Sequence, residues 1–128
     1  MIEVKYKALS IMQPWAWLVC MGYKDIENRN YPATPRRIYV HTSKTIDKVA
    51  YCRVPYTLLP IPEIAYSNLG AIIGEVDITG CVDKSDSPWF VGPYGFTLAN
   101  PVLYDKPIPC KGRLGFFTPE ILNPQGGN

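Results

Sequence analysis

Histidine is nearly absent, the cysteines are never close together, and no apolar run is long. The chain of 128 residues holds one histidine, His41, and four cysteines, Cys20, Cys52, Cys81 and Cys110. No C-x-x-C pair occurs, so the ligand spacing of a zinc site is missing, and neither a metal nor a cofactor is expected. Each cysteine lies in an apolar stretch or beside a turn, which predicts reduced, mostly buried thiols. No stretch of about 18 apolar residues is present, so no membrane span or membrane partner is expected. The first residues, Met1 to Lys7, are charged and lack the apolar centre of a secretory signal. Together with the unpaired cysteine pattern, this points to a cytoplasmic protein. Repeats and low-complexity tracts are also absent. The 13 prolines are scattered, which predicts a turn-rich fold and not a stiff linker. Charge is sparse, and a net +2 is too small for tight nonspecific nucleic-acid binding.

What is present predicts a packed globule. Apolar residues make up 47% and charged residues 19%, the balance of a core-forming chain and not of a disordered one. A chain this long buries roughly two-thirds of its unfolded surface, enough for one self-sufficient domain over residues 1–128. A monomer is expected. The charge is uneven: up to Arg53 there are nine Lys and Arg against four Asp and Glu, and after it four against seven.

The patterning predicts more strand than helix. Lys7–Ile11 reads as a first strand. Gln13–Gly22 reads as a short helix, with Pro14 suited to its first turn and Gly22 to its end. Arg37–Ser43 reads as a strand, followed by a helix from Ser43 to about Cys52 whose hydroxyls would accept the free amides. Residues 54–69 carry Pro55, Pro60 and Pro62 and read as loop with one short helical turn. Ala71–Val82 is the longest strand, with Val76 and Ile78 on one face and Glu75, Asp77 and Thr79 on the other. Gly74 and Gly80 mark places where it can bend or bulge. Residues 94–104, interrupted at Pro101, and 113–117 supply the last strands. No alternating βαβ order appears. The fold class is therefore α+β and mainly β: a small barrel or mixed sheet with two short helices packed at its ends.

The densest chemistry lies in Gly22-Tyr23-Lys24-Asp25-Ile26-Glu27-Asn28-Arg29. If this piece is extended, Asp25, Glu27 and Arg29 share one side, and Lys24 and Asn28 the other. Adjacent Glu27 and Arg29 suit a planar polar ligand, because arginine offers a fork of donors and a carboxylate accepts from an amide or exocyclic amine. The competing reading is a solvated loop closed by ordinary ion pairs.

Three runs in order, Leu9–Trp17, Lys24–Arg29 and Ile38–Lys44, resemble an ASCH domain, a family of the PUA-like superfamily of small β-barrels. Ser87–Phe96 with Leu98–Pro101, and Pro109–Phe117, resemble one branch of it, so the resemblance covers nearly the whole chain. It implies a PUA-like barrel with a cleft beside the first helix, faced by Lys24, Glu27 and Arg29, and a role linked to RNA. One branch is an amidohydrolase that removes acyl groups from N4-acylated cytidine. Its chemistry belongs to a lysine, a threonine three residues later and a glutamate further on. Lys24 matches the lysine, Glu27 stands where the threonine would be, and Glu75 is the candidate for the glutamate.

Within that frame Lys24 is a candidate base, nucleophile or fixed cation, and Glu27 a general base or a reader of a base edge. Arg29 suits phosphate or carboxylate. His41 ends a strand beside Ser43 and Lys44, which at a helix start would suit an anion. Trp15, Trp89 or Tyr94 would stack on a base, worth about 1–3 kcal/mol. Ser87–Gly95 would form a lid or pocket wall. The leading expectation is a module binding RNA or a modified nucleobase in a cationic cleft. The alternatives are a small amidohydrolase acting on an acylated nucleoside, and a protein-interaction domain.

Overall fold

A computed structural model describes residues 3–121. Six strands form one sheet: β1 (Lys7–Gln13), β2 (Ile26–Arg29), β3 (Arg36–Ile46), β4 (Ala71–Val82), β5 (Tyr94–Pro109) and β6 (Phe116–Phe117). Their order is β2-β5-β4-β3-β1-β6, with β1 and β3 parallel and every other neighbouring pair antiparallel. The sheet curls into a half-barrel. Arg29, on the β2 edge, donates to the Ser10 carbonyl on β1, four places along the order. Phe96 of β5 stacks on Phe116 of β6 with centroids 6.0 Å apart. Inside the curl lies the main core, which includes Leu9, Ile11, Val40, Val76, Ile78 and Phe96.

The alternation predicted for β4 holds. Val76 and Ile78 are buried, while Glu75 and Asp77 are partly exposed and Thr79 is exposed. Its pairing with β5 slips between Ile72 and Gly74 and again between Ile78 and Gly80, beside the two glycines. At Gly74 a side chain has no room: a Cβ would stand 2.1 Å from the Val102 carbonyl oxygen and 2.7 Å from Cys20 Sγ. That close approach brings helix, β4 and β5 together in one core.

One α-helix, α1 (Trp15–Cys20), packs on the sheet, burying Ala16, Leu18, Val19 and Cys20. Gln13, itself buried, holds its start, with Oε1 accepting from the Trp17 amide at 2.8 Å and Nε2 donating to the Ser67 carbonyl. The second helix expected from Ser43 is not formed. β3 runs through to Ile46, because Gln13 of β1 pairs with Ile46 and so extends the ladder past Ser43. Only short 3-10 turns follow, at Ala50–Cys52, Tyr56–Leu58 and Glu63–Tyr66. The strand expected over 113–117 shrinks to two residues. Cys20 and Cys110 are buried, Cys81 is partly so, Cys52 is exposed, and all four are free thiols. Among the described residues no helix is long and apolar enough to cross a membrane, and no cluster of three His, Cys, Asp or Glu could hold a metal ion.

Candidate functional site

The end of α1 decides where Lys24 goes. Gly22 adopts φ +83°, the left-handed conformation that glycine enters without strain. The chain then folds back, so that the amides of Tyr23 and Lys24 both donate to the Leu18 carbonyl, at 2.9 and 3.1 Å. Lys24 stands just before β2, and its side chain bends forward along that strand. Nζ donates to the Ile26 carbonyl and, at 3.2 Å, to Glu27 Oε1. Alternation along an extended piece would have separated Lys24 from Glu27. The reach of the lysine side chain overcomes that separation, carrying Nζ past Ile26 to the carboxylate. Asp25 points elsewhere and accepts from Ser87 Oγ at 2.9 Å.

Glu27 thus sits between two cations, since Arg29 Nε donates to its Oε2 at 3.0 Å. Lys24 is 6% exposed and Glu27 8%, so both charges are taken out of bulk water and depend on each other. None of the three has exhausted its hydrogen bonding. Lys24 has three protons and uses two, Arg29 has five and uses two, and each carboxylate oxygen can accept again.

These groups form one wall of a hollow of about 470 Å³, within the range of about 300–1,000 Å³ usual for small-molecule sites. Trp15 and Trp89 line it too, edge to face with centroids 6.4 Å apart, and Lys24 Nζ lies 5.7 Å from the Trp15 ring centre. The loop carrying Trp89 is pinned by Asn28. Its Nδ2 donates to the Trp89 carbonyl at 3.0 Å, and its Oδ1 accepts from the amides of Val91 and Gly92 at 2.8 and 3.0 Å. The 87–95 segment is therefore a wall of the hollow, and one anchored from β2.

Of the residues singled out in the sequence, Lys24, Glu27, Arg29, Trp15 and Trp89 come together here. The others do not. His41 is buried and does not line the hollow, bonded to Ser10 Oγ at 2.9 Å and to the Cys110 carbonyl at 2.7 Å. Ser43 and Lys44 lie on β3, where no helix start exists to gather an anion, and Ser43 Oγ donates to the Thr45 carbonyl. Tyr94 pairs with Arg29 across the ladder but does not line the hollow. Glu75 belongs to a separate cluster, accepting from Arg37 and Tyr104, so it cannot act with Lys24.

Sequence reasoning missed several contributors, four of which matter most to the site. Asp47 and Arg53 line the hollow from the segment expected to be helical, and Asp47 Oδ2 accepts from Trp15 Nε1 at 3.0 Å. Asn28 stands in the charged octet, but nothing in its neighbours along the chain signals its anchoring role. Tyr31 also lines the hollow, and its hydroxyl is the one buried side-chain polar atom without a partner among the described residues. The only sequence signal for Arg53 was the excess of positive charge in the first 53 residues. Compared with known proteins, the chain matches no family model and no curated sequence.

Proposed function

We propose that the chain is an ASCH domain with a PUA-like barrel, and that its hollow binds a nucleobase, carried by RNA or by a modified nucleoside. The observation that carries this reading is Glu27, a buried carboxylate held between Lys24 and Arg29 with accepting capacity left over. A base edge offers both donors and acceptors, and a floor of one carboxylate flanked by two cations can meet both. The indoles of Trp15 and Trp89 supply apolar wall against which a planar ring can pack. The motif order across the chain favours the same family.

A thermal-shift and equilibrium-binding panel of the four common ribonucleosides, N4-acetylcytidine and short RNAs tests it. At least one ligand raises the melting temperature at low salt. Glu27→Gln then weakens that ligand by about tenfold or more, the scale of losing one good base-edge contact. The reading is lost if none of these ligands stabilises the protein.

The amidohydrolase reading is favoured by one further feature, the 3.2 Å contact between Lys24 and Glu27 in a desolvated setting, which suits proton transfer to or from water or substrate. Turnover of N4-acetylcytidine, abolished in Lys24→Ala while the melting curve stays cooperative, would establish it. In that variant Glu27 keeps Arg29 as its partner.

A further inference from the structure

We infer that the ligand of this hollow carries a phosphate on its nucleoside, and that Arg53 is the group that receives it. The inference rests on the nucleobase reading above and names a second end of the same site. Five charged side chains line the hollow: Lys24, Arg29 and Arg53 against Glu27 and Asp47. The excess is a single positive charge, and its distribution is uneven. Lys24 and Arg29 are both committed to Glu27 on one side. Arg53 makes only one long ion pair, to Asp47 at 3.8 Å.

Among the described residues Asp47 is the one carboxylate that pairs with Arg53, and it is already engaged. Its Oδ2 accepts from the Trp15 indole and its Oδ1 from the Val49 amide, at 3.0 and 3.1 Å. Arg53 approaches that Oδ2 only to 3.8 Å, beyond hydrogen-bond distance, and donates no side-chain hydrogen bond among the described residues. Its side chain is 65% exposed, whereas that of Asp47 is 9% exposed. The carboxylate therefore fixes the indole and holds the guanidinium only loosely, on an exposed part of the lining.

The result is a ligand-shaped sequence of groups. A planar fork of unspent donors comes first, then an aromatic wall, then the buried Lys24–Glu27–Arg29 floor. A guanidinium fork matches two oxygens of a phosphate at once. A nucleotide has the complementary order, with a dianion at one end, a ring at the other and a sugar between them. A free nucleoside would leave Arg53 idle. A 5′-monophosphate and an RNA strand both present two phosphate oxygens to the Arg53 fork.

The experiment compares adenosine, guanosine, cytidine, uridine and N4-acetylcytidine with their 5′-monophosphates and with short RNAs. Proteins are the wild type, Arg53→Ala, Arg53→Lys and Lys48→Ala. The phosphorylated form of the bound nucleoside, or the RNA, binds roughly tenfold more tightly than the nucleoside at low salt, and the gain shrinks as salt rises. Arg53→Ala removes the gain, so that the phosphorylated and plain forms bind it about equally, and Arg53→Lys restores part of the gain. Lys48→Ala makes the same change in net charge at an exposed neighbour that does not line the hollow, and it keeps the gain. A gain confined to the monophosphates identifies a free nucleotide, and one confined to the oligonucleotides identifies RNA. If nucleosides bind but phosphate adds nothing, or if the gain survives Arg53→Ala, the inference falls and the nucleobase reading stands. If nothing in the panel binds, both fall.

Discussion

His41 is surrounded by groups that suit a neutral ring. The Cys110 carbonyl can only accept, so Nε2 carries the proton and Nδ1 accepts from Ser10 Oγ. Phe117 closes the ring edge on, with centroids 5.6 Å apart. Burial lowers the pKa, and this outweighs the hydrogen bond to Cys110, which acts to raise it. The folded value therefore lies below the unfolded one. Stability is complete above the ordinary histidine value of about 6.5 and declines as pH falls through that region, where only the unfolded chain takes the proton. The chain has one histidine, so its imidazole NMR signal is unambiguous. Its titration midpoint in the folded protein is expected below 6.5, and a midpoint at or above that value would contradict this account. Residue by residue, the sequence was informative where neighbours in the chain are also neighbours in space. Lys24, Glu27 and Arg29 lie within six positions of one another. It was uninformative for His41, whose partners come from residues 10 and 110.

The elements themselves are set by a mixture of local and distant causes. α1, β4 and the start of β5 follow their patterns of apolar residues, glycine and proline. β3 does not stop where hydroxyl residues suggested a helix start, because β1 offers pairing as far as Ile46. A local capping preference worth about 1 kcal/mol loses to a continuing ladder. The loop after β4 shows a similar dependence. Residues 87–92 have no ladder of their own and are held chiefly by Asn28 of β2 and by Asp25 just before it. Asn28→Ala removes three hydrogen bonds, each worth about 1 kcal/mol net. The amides of Val91 and Gly92 should then exchange with solvent markedly faster, while those of central β4 keep their protection. The same variant should weaken any ligand that packs on Trp89. Unchanged exchange at Val91 and Gly92 would show that the wall stands without its anchor.

At the scale of the molecule, the outer face of the half-barrel is tied across three strands by Arg37. It pairs with Glu75 and Asp77 of β4 and donates to the Asn100 carbonyl of β5. Burial acts to raise the Glu75 pKa, but its hydrogen bonds from Tyr104 and Arg37 outweigh it and hold the carboxyl below its ordinary value. Asp77 is lowered as well, first by Asn100 and then by Arg37. Both carboxylates therefore favour the folded state above their ordinary range near pH 4, and that contribution is lost as pH falls through the depressed folded values. Glu75→Gln is expected to lower the melting temperature by a few degrees at pH 7, and the gap from wild type should close in acid. A gap that persists at pH 2 would assign the effect to packing. Ligand binding at the hollow should be unaffected, because Glu75 lies in a different cluster.

The order of residues alone determined a mainly β fold, the aromatic helix after β1 and the charged segment behind it, since apolar periodicity, glycine and proline act over a few positions, though it also suggested a second helix that did not form. It also placed Lys24, Glu27 and Arg29 close together along the chain. Folding decided which side chains share a hollow. The curl of the sheet carries β2 back to β1, and the segment after β3 brings Asp47 onto Trp15 and Arg53 into the same hollow. Such encounters depend on strand register and sheet curvature, which are properties of the whole ladder, and no short stretch of sequence encodes them.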